Sequence, residues 1–286
     1  MATLTTERQR LTEAEMKFLA VLITLFFYRN WQGDNPVRSA FSFSDYYGWF
    51  SAKNLATYWR FGLCVGLPAV LTLILAAEVF HWLQGIVWLA LSLVILIYAT
   101  EIYDIEPMFD DHVRWLKSVS AEDQIADVIQ RQDDFQMTHL YDMFQSIVPG
   151  LFWFLITGPA GTLFYVFTIQ YLDRLDEDDP EVDLLDNIVF WMEWVPVRIT
   201  GLLFSFVGNF GPTMDYWLNH LTDTQESHAV HLSIMASIAS DKSEHDDGVE
   251  GFARFSEFQT HQLKSLCERA LFGWLGVAAV VVILGW

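Results

Sequence analysis

The chain has 286 residues and a formal net charge of -20, with 53% of its residues hydrophobic and 16% aromatic. Apolar content this high, gathered into long runs, indicates a membrane protein. The acidic balance excludes a nucleic-acid partner, because nothing basic is present to grip a phosphate backbone. Two cysteines, Cys64 and Cys267, stand too far apart in sequence to make a disulfide framework.

The opening stretch MATLTTERQRLTEAE is polar and lacks an apolar signal core, so it reads as a flexible tail or a start-site extension ahead of Met16. A short hydrophobic helix follows over 18–28, about eleven residues, too few for a straight crossing unaided. The loop over 29–60 carries Trp31, Tyr46, Tyr47, Trp49, Tyr58 and Trp59, a set suited to a membrane interface. Residues 61–80 and 82–99 predict a transmembrane hairpin, with Glu78 and His81 at its far end. From 101 to 145 the chain turns acidic, with apolar residues at helical spacing behind a Ser120 and Asp123 start signal. This predicts an amphipathic cytoplasmic helix.

Residues 147–172 predict one span broken at Gly158-Pro159-Ala160-Gly161. Such a break is tolerated where protein or a cavity satisfies the freed backbone groups. Its amides from Ala160 to Leu163 would seat an anion, while a close crossing through small residues explains the same glycines. After an acidic loop over 173–186 comes IVFWMEWVPVRITGLLFSFVG, residues 188–208, long enough to cross a bilayer. Charges at membrane depth cost a few kcal/mol, so Glu193 and Arg198 should face other helices or a wet cavity. Pro196 between them frees the carbonyl of Met192 and bends the helix. Arg198, Glu193, Pro196, Gly158, Pro159 and Gly161 are therefore the candidate ligand-binding or switch residues; a structural ion pair explains the two charges equally well. A second cytoplasmic helical segment is expected over 212–270, with a solvated turn at 241–251, and a last span over 271–286. Lys and Arg place the 29–60, 101–145 and 212–270 segments inside, and Asp178 and Trp286 outside. On this path Pro159 and Arg198 meet at mid-depth of adjacent helices.

Motifs for familiar chemistry are missing: there is no phosphate loop, no G-x-G-x-x-G turn, no H-E-x-x-H and no G-x-S-x-G. His228 and His231, with Glu226 or His220, have metal-ligand residue types but no third ligand at proper spacing, and a solvent-facing polar pair accounts for them. No metal is predicted, no cofactor is identified, and catalysis would have to rest on Glu193, Arg198 and backbone groups.

The segment VPGLFWFLITGPAGTLFY, followed after the acidic linker by EWVPVRITGLLFSFVGNF, resembles the AmpE family of inner-membrane proteins, and MKFLAVLITLFFYRNW from Met16 looks like their usual start. The resemblance covers about residues 16–286, read as one membrane domain. It implies a Gram-negative inner membrane and a sensor or signalling modulator linked to inducible β-lactamase, a system in which a cytoplasmic amidase clears cell-wall fragments. Partners would be the lipid bilayer and either a cytoplasmic protein or an anionic cell-wall-derived ligand held by Arg198 with amides after Pro159. A more distant similarity is to CobD/CbiB-type amide-forming enzymes of the cobalamin pathway, whose proline-alanine-arginine element is matched by Pro196 and Arg198 with valine between. Ile169-Gln170-Tyr171-Leu172 replaces the polar run of that type, which argues against corrinoid chemistry. Tyr28-Arg29 also stands where AmpE sequences place a glutamate. A third reading is a scaffold that binds a protein through the surface over 124–136. The fold expected is an all-α, polytopic integral membrane helical bundle. It would have about five transmembrane helices, a short N-terminal hydrophobic helix and cytoplasmic amphipathic helices.

Overall fold

The computed structural model describes residues 2–31, 35–53, 56–82, 85–100, 105–176, 178–240 and 248–284, without the side chains of 2–12, 57, 78–82, 105 and 106. Among the described residues the chain is all-α and has no strand. The side chains of Glu78 and His81, most of the 241–251 turn, and Trp286 lie outside the described set. The helices divide between two compact units, one of residues 1–102, 145–193 and 275–286, the other of 103–144 and 194–274.

In the first unit α1 (Ala2–Asn30) takes in the stretch expected to be a loose tail. That stretch has four Thr, but also three Glu, two Arg, two Leu and two Ala and neither Gly nor Pro, so local propensity permits a continuous helix. After α2 (Pro36–Ala40) and α3 (Phe43–Ser51), α4 (Thr57–Phe61) runs through a π-turn at Gly62–Gly66 into α5 (Leu67–Trp82), and α6 (Ile86–Ala99) follows. Asn35 joins two of these elements. Its Oδ1 accepts from the amides of Val37 and Arg38, capping α2, while its Nδ2 donates to the carbonyls of Ile97 (2.6 Å) and Thr100 (2.8 Å) at the end of α6.

The interrupted span is a reversal. Helix α8 (Ile125–Thr157) carries Pro149 and runs on to Thr157; Gly158, at φ 74° and ψ -162°, turns the chain, and α9 (Pro159–Leu172) comes back alongside. The Thr162 hydroxyl donates to the Gly150 carbonyl at 3.1 Å, and Gln145 and Ser146 share a cavity with Tyr165, Val166, Ile169 and Gln170. These contacts exist only if the two helices are antiparallel neighbours. Glycine is needed at 158 because a Cβ is strained in that backbone region, and Pro159 suits the first turn of α9, where no amide bond is lost.

Reversal changes the sidedness argument. The Arg60 guanidinium, before α5, donates through Nη2 to Glu181 Oε1 (2.7 Å) and through Nε to the Tyr171 hydroxyl (2.9 Å). Tyr98 at the end of α6 donates to Gln170 Oε1 at 2.9 Å. The 29–60 loop and the acidic 173–181 turn therefore share one end of this unit. Placing Asp178 opposite Arg60 rests on counting 147–172 as a crossing, whereas α8 and α9 form a hairpin within that stretch.

In the second unit α7 (Ile105–Ser118) packs on α8, where His112 stacks on Phe135 with ring centroids 3.6 Å apart and its Nε2 meets Gln132 Oε1 at 2.7 Å. The chain continues through α10 (Val182–Val207), α11 (Phe210–Asn219), α12 (His228–Ala239) and α13 (Val249–Ile283). Residues 194–207 of α10 are covered by the later helices: Trp274 Nε1 donates to Thr200 Oγ1 (3.2 Å), and the Asn209 amide to the Ala239 carbonyl (2.9 Å). A Cβ on Gly201 would lie 2.5 Å from the Met235 sulfur, so α10 and α12 cross closely there.

Among the described residues four stretches are long and apolar enough to cross a membrane: Tyr58–Ala77, Ile125–Thr157, Val182–Val207 and Val249–Ile283. At 14 residues each, α6 and α9 reach only about 21 Å, short of a 30 Å hydrocarbon core. The chain is an all-α helical membrane protein.

Candidate functional site

Arg198 projects from α10 into the second unit and is 5% exposed. Its Nε donates to the Leu221 carbonyl at 2.9 Å and its Nη2 to the Asp223 carbonyl, both in the turn between α11 and α12. The guanidinium carbon lies 5.3 Å from the centroid of the Trp194 ring, and the Arg198 carbonyl accepts from Trp217 Nε1 at 2.7 Å. The third nitrogen, Nη1, is buried and has no hydrogen-bond partner. A guanidinium stays charged even when buried, so a donor left without an acceptor is costly, and here one nitrogen of the fork remains unsatisfied.

Polar groups gather round it from three elements. From α11, the Tyr216 ring stacks on His220 at 4.0 Å, and its hydroxyl faces Glu226 Oε2 at 3.4 Å. From the turn come Asp223, whose Oδ1 accepts from the Gln225 amide at 2.8 Å, and Glu226. From α12, whose first turn Ser227 caps, comes His231, 1% exposed, its ring 5.7 Å from Tyr216 and its Nε2 without a partner. Burial, and then the Arg198 charge, push the His231 imidazole down to about 4. Burial, with Glu226 adding to it, pushes the Tyr216 phenol up to about 12. Among the described residues no three of His, Cys, Asp and Glu form a group that could hold a metal, and the imidazoles of 220 and 231 belong instead to the surroundings of the arginine.

The other candidates, Pro196 apart, lie in the first unit. Glu193 is 0% exposed; its Oε1 accepts from the Tyr165 hydroxyl at 2.7 Å and from Gln145 Nε2 at 3.0 Å. Gln145 and Tyr165 in turn line a cavity of about 50 Å³, beside Arg38, Ser146, Gln170 and Asp173. Gly158, Pro159 and Gly161 form the hairpin tip, and a Cβ on Gly161 would collide with the Thr157 side chain, so small size there serves the turn. Pro196 leaves the Met192 carbonyl without its helical donor, as expected, and Trp153 Nε1 takes that place at 3.1 Å. Each charge thus has its own partners: side chains of α8 and α9 for Glu193, main-chain carbonyls of the 220–227 turn for Arg198.

Sequence reasoning missed Tyr165, Gln145, Tyr216, Trp217 and Asp223. Tyr165 is indistinguishable from an interfacial aromatic inside an apolar run. The Leu221 and Asp223 carbonyls carry no side-chain signal at all. The weak cue for Asp223 was the density of titratable residues between His220 and His231.

The family model described as regulatory signalling modulator protein AmpE matches residues 113–255, half of the chain. The chain belongs to the AmpE family. The matched region takes in Arg198, the turn that holds it and His231, together with Glu193 and the hairpin. No curated protein and no solved structure matches the chain. Membership makes it a regulatory signalling modulator of AmpE type, and the apolar helices suit a lipid bilayer.

Proposed function

We propose that this AmpE-family protein is a multi-pass protein of the bacterial inner membrane that senses the state of the cell wall and relays it to β-lactamase induction. In this reading it recognises an anionic group at Arg198, the carboxylate or phosphate of a cell-wall-derived fragment. The observation that carries the proposal is the buried guanidinium with Nη1 unpartnered while its other two nitrogens are fixed by main-chain carbonyls. A fork held in this way is preorganised, so an arriving anion need not order it. Glu193, Pro196 and the turn at Gly158, Pro159 and Gly161 are proposed as the switch. Pro196 removes one helical hydrogen bond, so α10 bends most easily between Glu193 and Arg198. A cytoplasmic protein is the proposed recipient of the signal.

The test is a β-lactamase induction reporter combined with immunoblotting of membranes. Arg198→Gln and Arg198→Lys should both abolish modulation at wild-type protein level, Lys because a point charge cannot replace the planar fork. Loss of protein in step with loss of signal in both variants would make Arg198 a structural residue only.

A further inference from the structure

The charges around Arg198 constrain what it can bind. The guanidinium feels two carboxylates, Asp223 and Glu226, the Tyr216 phenol and the His231 imidazole, and His231 in turn has His220 and His228 as neighbours. With neutral imidazoles this cluster already carries excess negative charge. An anion arriving at Nη1 would deepen that excess in a place shielded from water, where screening is weak.

One group can correct it. His231 is the most buried imidazole of the cluster, it comes from the helix facing Arg198, and its Nε2 is the second orphaned polar atom there. A neutral imidazole nitrogen with no partner has two remedies, to donate to an acceptor or to accept a proton and then donate, and a bound anion offers both. What keeps this ring neutral in the free protein is its burial and the neighbouring arginine, and an anion on Nη1 offsets the arginine's field.

Building on the assignment of Arg198 as an anion site, we propose that the site takes its anion together with one proton, and that His231 carries the proton. The ligand class is thus an anionic group bound as its acid equivalent, and its affinity rises as the surroundings acidify. By linkage the dependence is reciprocal: the proton raises anion affinity by the factor by which the anion raises proton affinity.

Sulfate is a suitable probe because it does not titrate between pH 5 and 8, so any proton taken up belongs to the protein. Full-length protein in lipid nanodiscs is titrated with sulfate by calorimetry at several pH values, each in two buffers of different ionisation enthalpy. Sulfate affinity should rise as pH falls from about 8 to 5, by at most tenfold per pH unit, with a matching fraction of one proton taken up per anion. His231→Gln should bind sulfate with no pH slope, whereas His220→Gln and His228→Gln keep the slope. A slope that survives in His231→Gln, or an absence of proton uptake by the wild type, overturns the proton coupling and leaves the Arg198 site standing. Binding that persists in Arg198→Gln, or a wild type that fails to bind at pH 6, overturns the site itself. Should His231→Gln fail to fold, ¹⁵N-histidine spectra of the wild type decide the matter: the most shielded imidazole must shift to its charged form on adding sulfate at pH 6.5, and an unmoved signal refutes the proposal.

Discussion

Two histidines tie the second unit to pH in the absence of any ligand. His112 is 6% exposed, bonded through Nε2 to Gln132 and stacked on Phe135; burial pushes its imidazole below the ordinary value, with Gln132 opposing. His231 is pushed down to about 4 from the ordinary 6.5, first by burial and then by Arg198. Both are neutral in the fold and charged in the unfolded chain at mildly acid pH, so unfolding takes up protons. Stability is therefore full above about 6.5 and is lost progressively as pH falls from there towards about 4. Thermal unfolding followed across that window should show the midpoint falling, and His231→Gln should flatten part of the fall. A midpoint that rises on acidification would contradict the burial of both rings. Neither residue announced this in the sequence, where a histidine among polar neighbours reads as solvated. Exposure is a property of the packing partner: α8 covers His112 on α7, and α12 lies against α10 and α11.

Helix boundaries were far easier to read than what the helices do. The apolar run over 188–208 has the length of a crossing, and α10 does span it, yet residues 194–207 are packed by α11, α12 and α13 of the second unit. Composition cannot tell a helix wrapped in lipid from one wrapped in other helices, since both demand apolar surface on every side. The glycine-proline break was visible as well, but its angle was not. A proline after a glycine permits a kink or a full return, and the choice is made by Thr162 reaching the Gly150 carbonyl and by α9 lying against α8. Gly158→Ala tests this element. At φ 74° and ψ -162° an alanine is strained by about 1–3 kcal/mol, and the loss should appear as a lower unfolding temperature with both neighbouring helices intact. Wild-type stability in that variant would mean the chain passes position 158 with an ordinary backbone.

For the whole chain, the all-α membrane class follows from hydropathy alone, whereas sidedness depended on counting crossings. A hairpin in place of a span would invert every assignment after it. Arg60 bound to Glu181 places the exposed residues Lys53 and Asp178 at one end of the first unit. Cysteines introduced singly at these positions should react with an impermeant maleimide from the same side of the membrane. The native thiols will not interfere, because Cys64 and Cys267 are both buried. Labelling from opposite sides would restore the crossing. The site itself was legible only in Arg198, since the groups that define it are two main-chain carbonyls and an imidazole thirty-three residues later. Folding back at Gly158 has a consequence for how the tip can sit in oil. The carboxyl end of one helix, with its partial negative charge, meets the amino end of the next, with its partial positive charge, so the two macrodipoles quench each other within a few ångströms. Such a tip is electrically quiet and requires no counter-ion, which leaves only its unpaired backbone groups to be satisfied there.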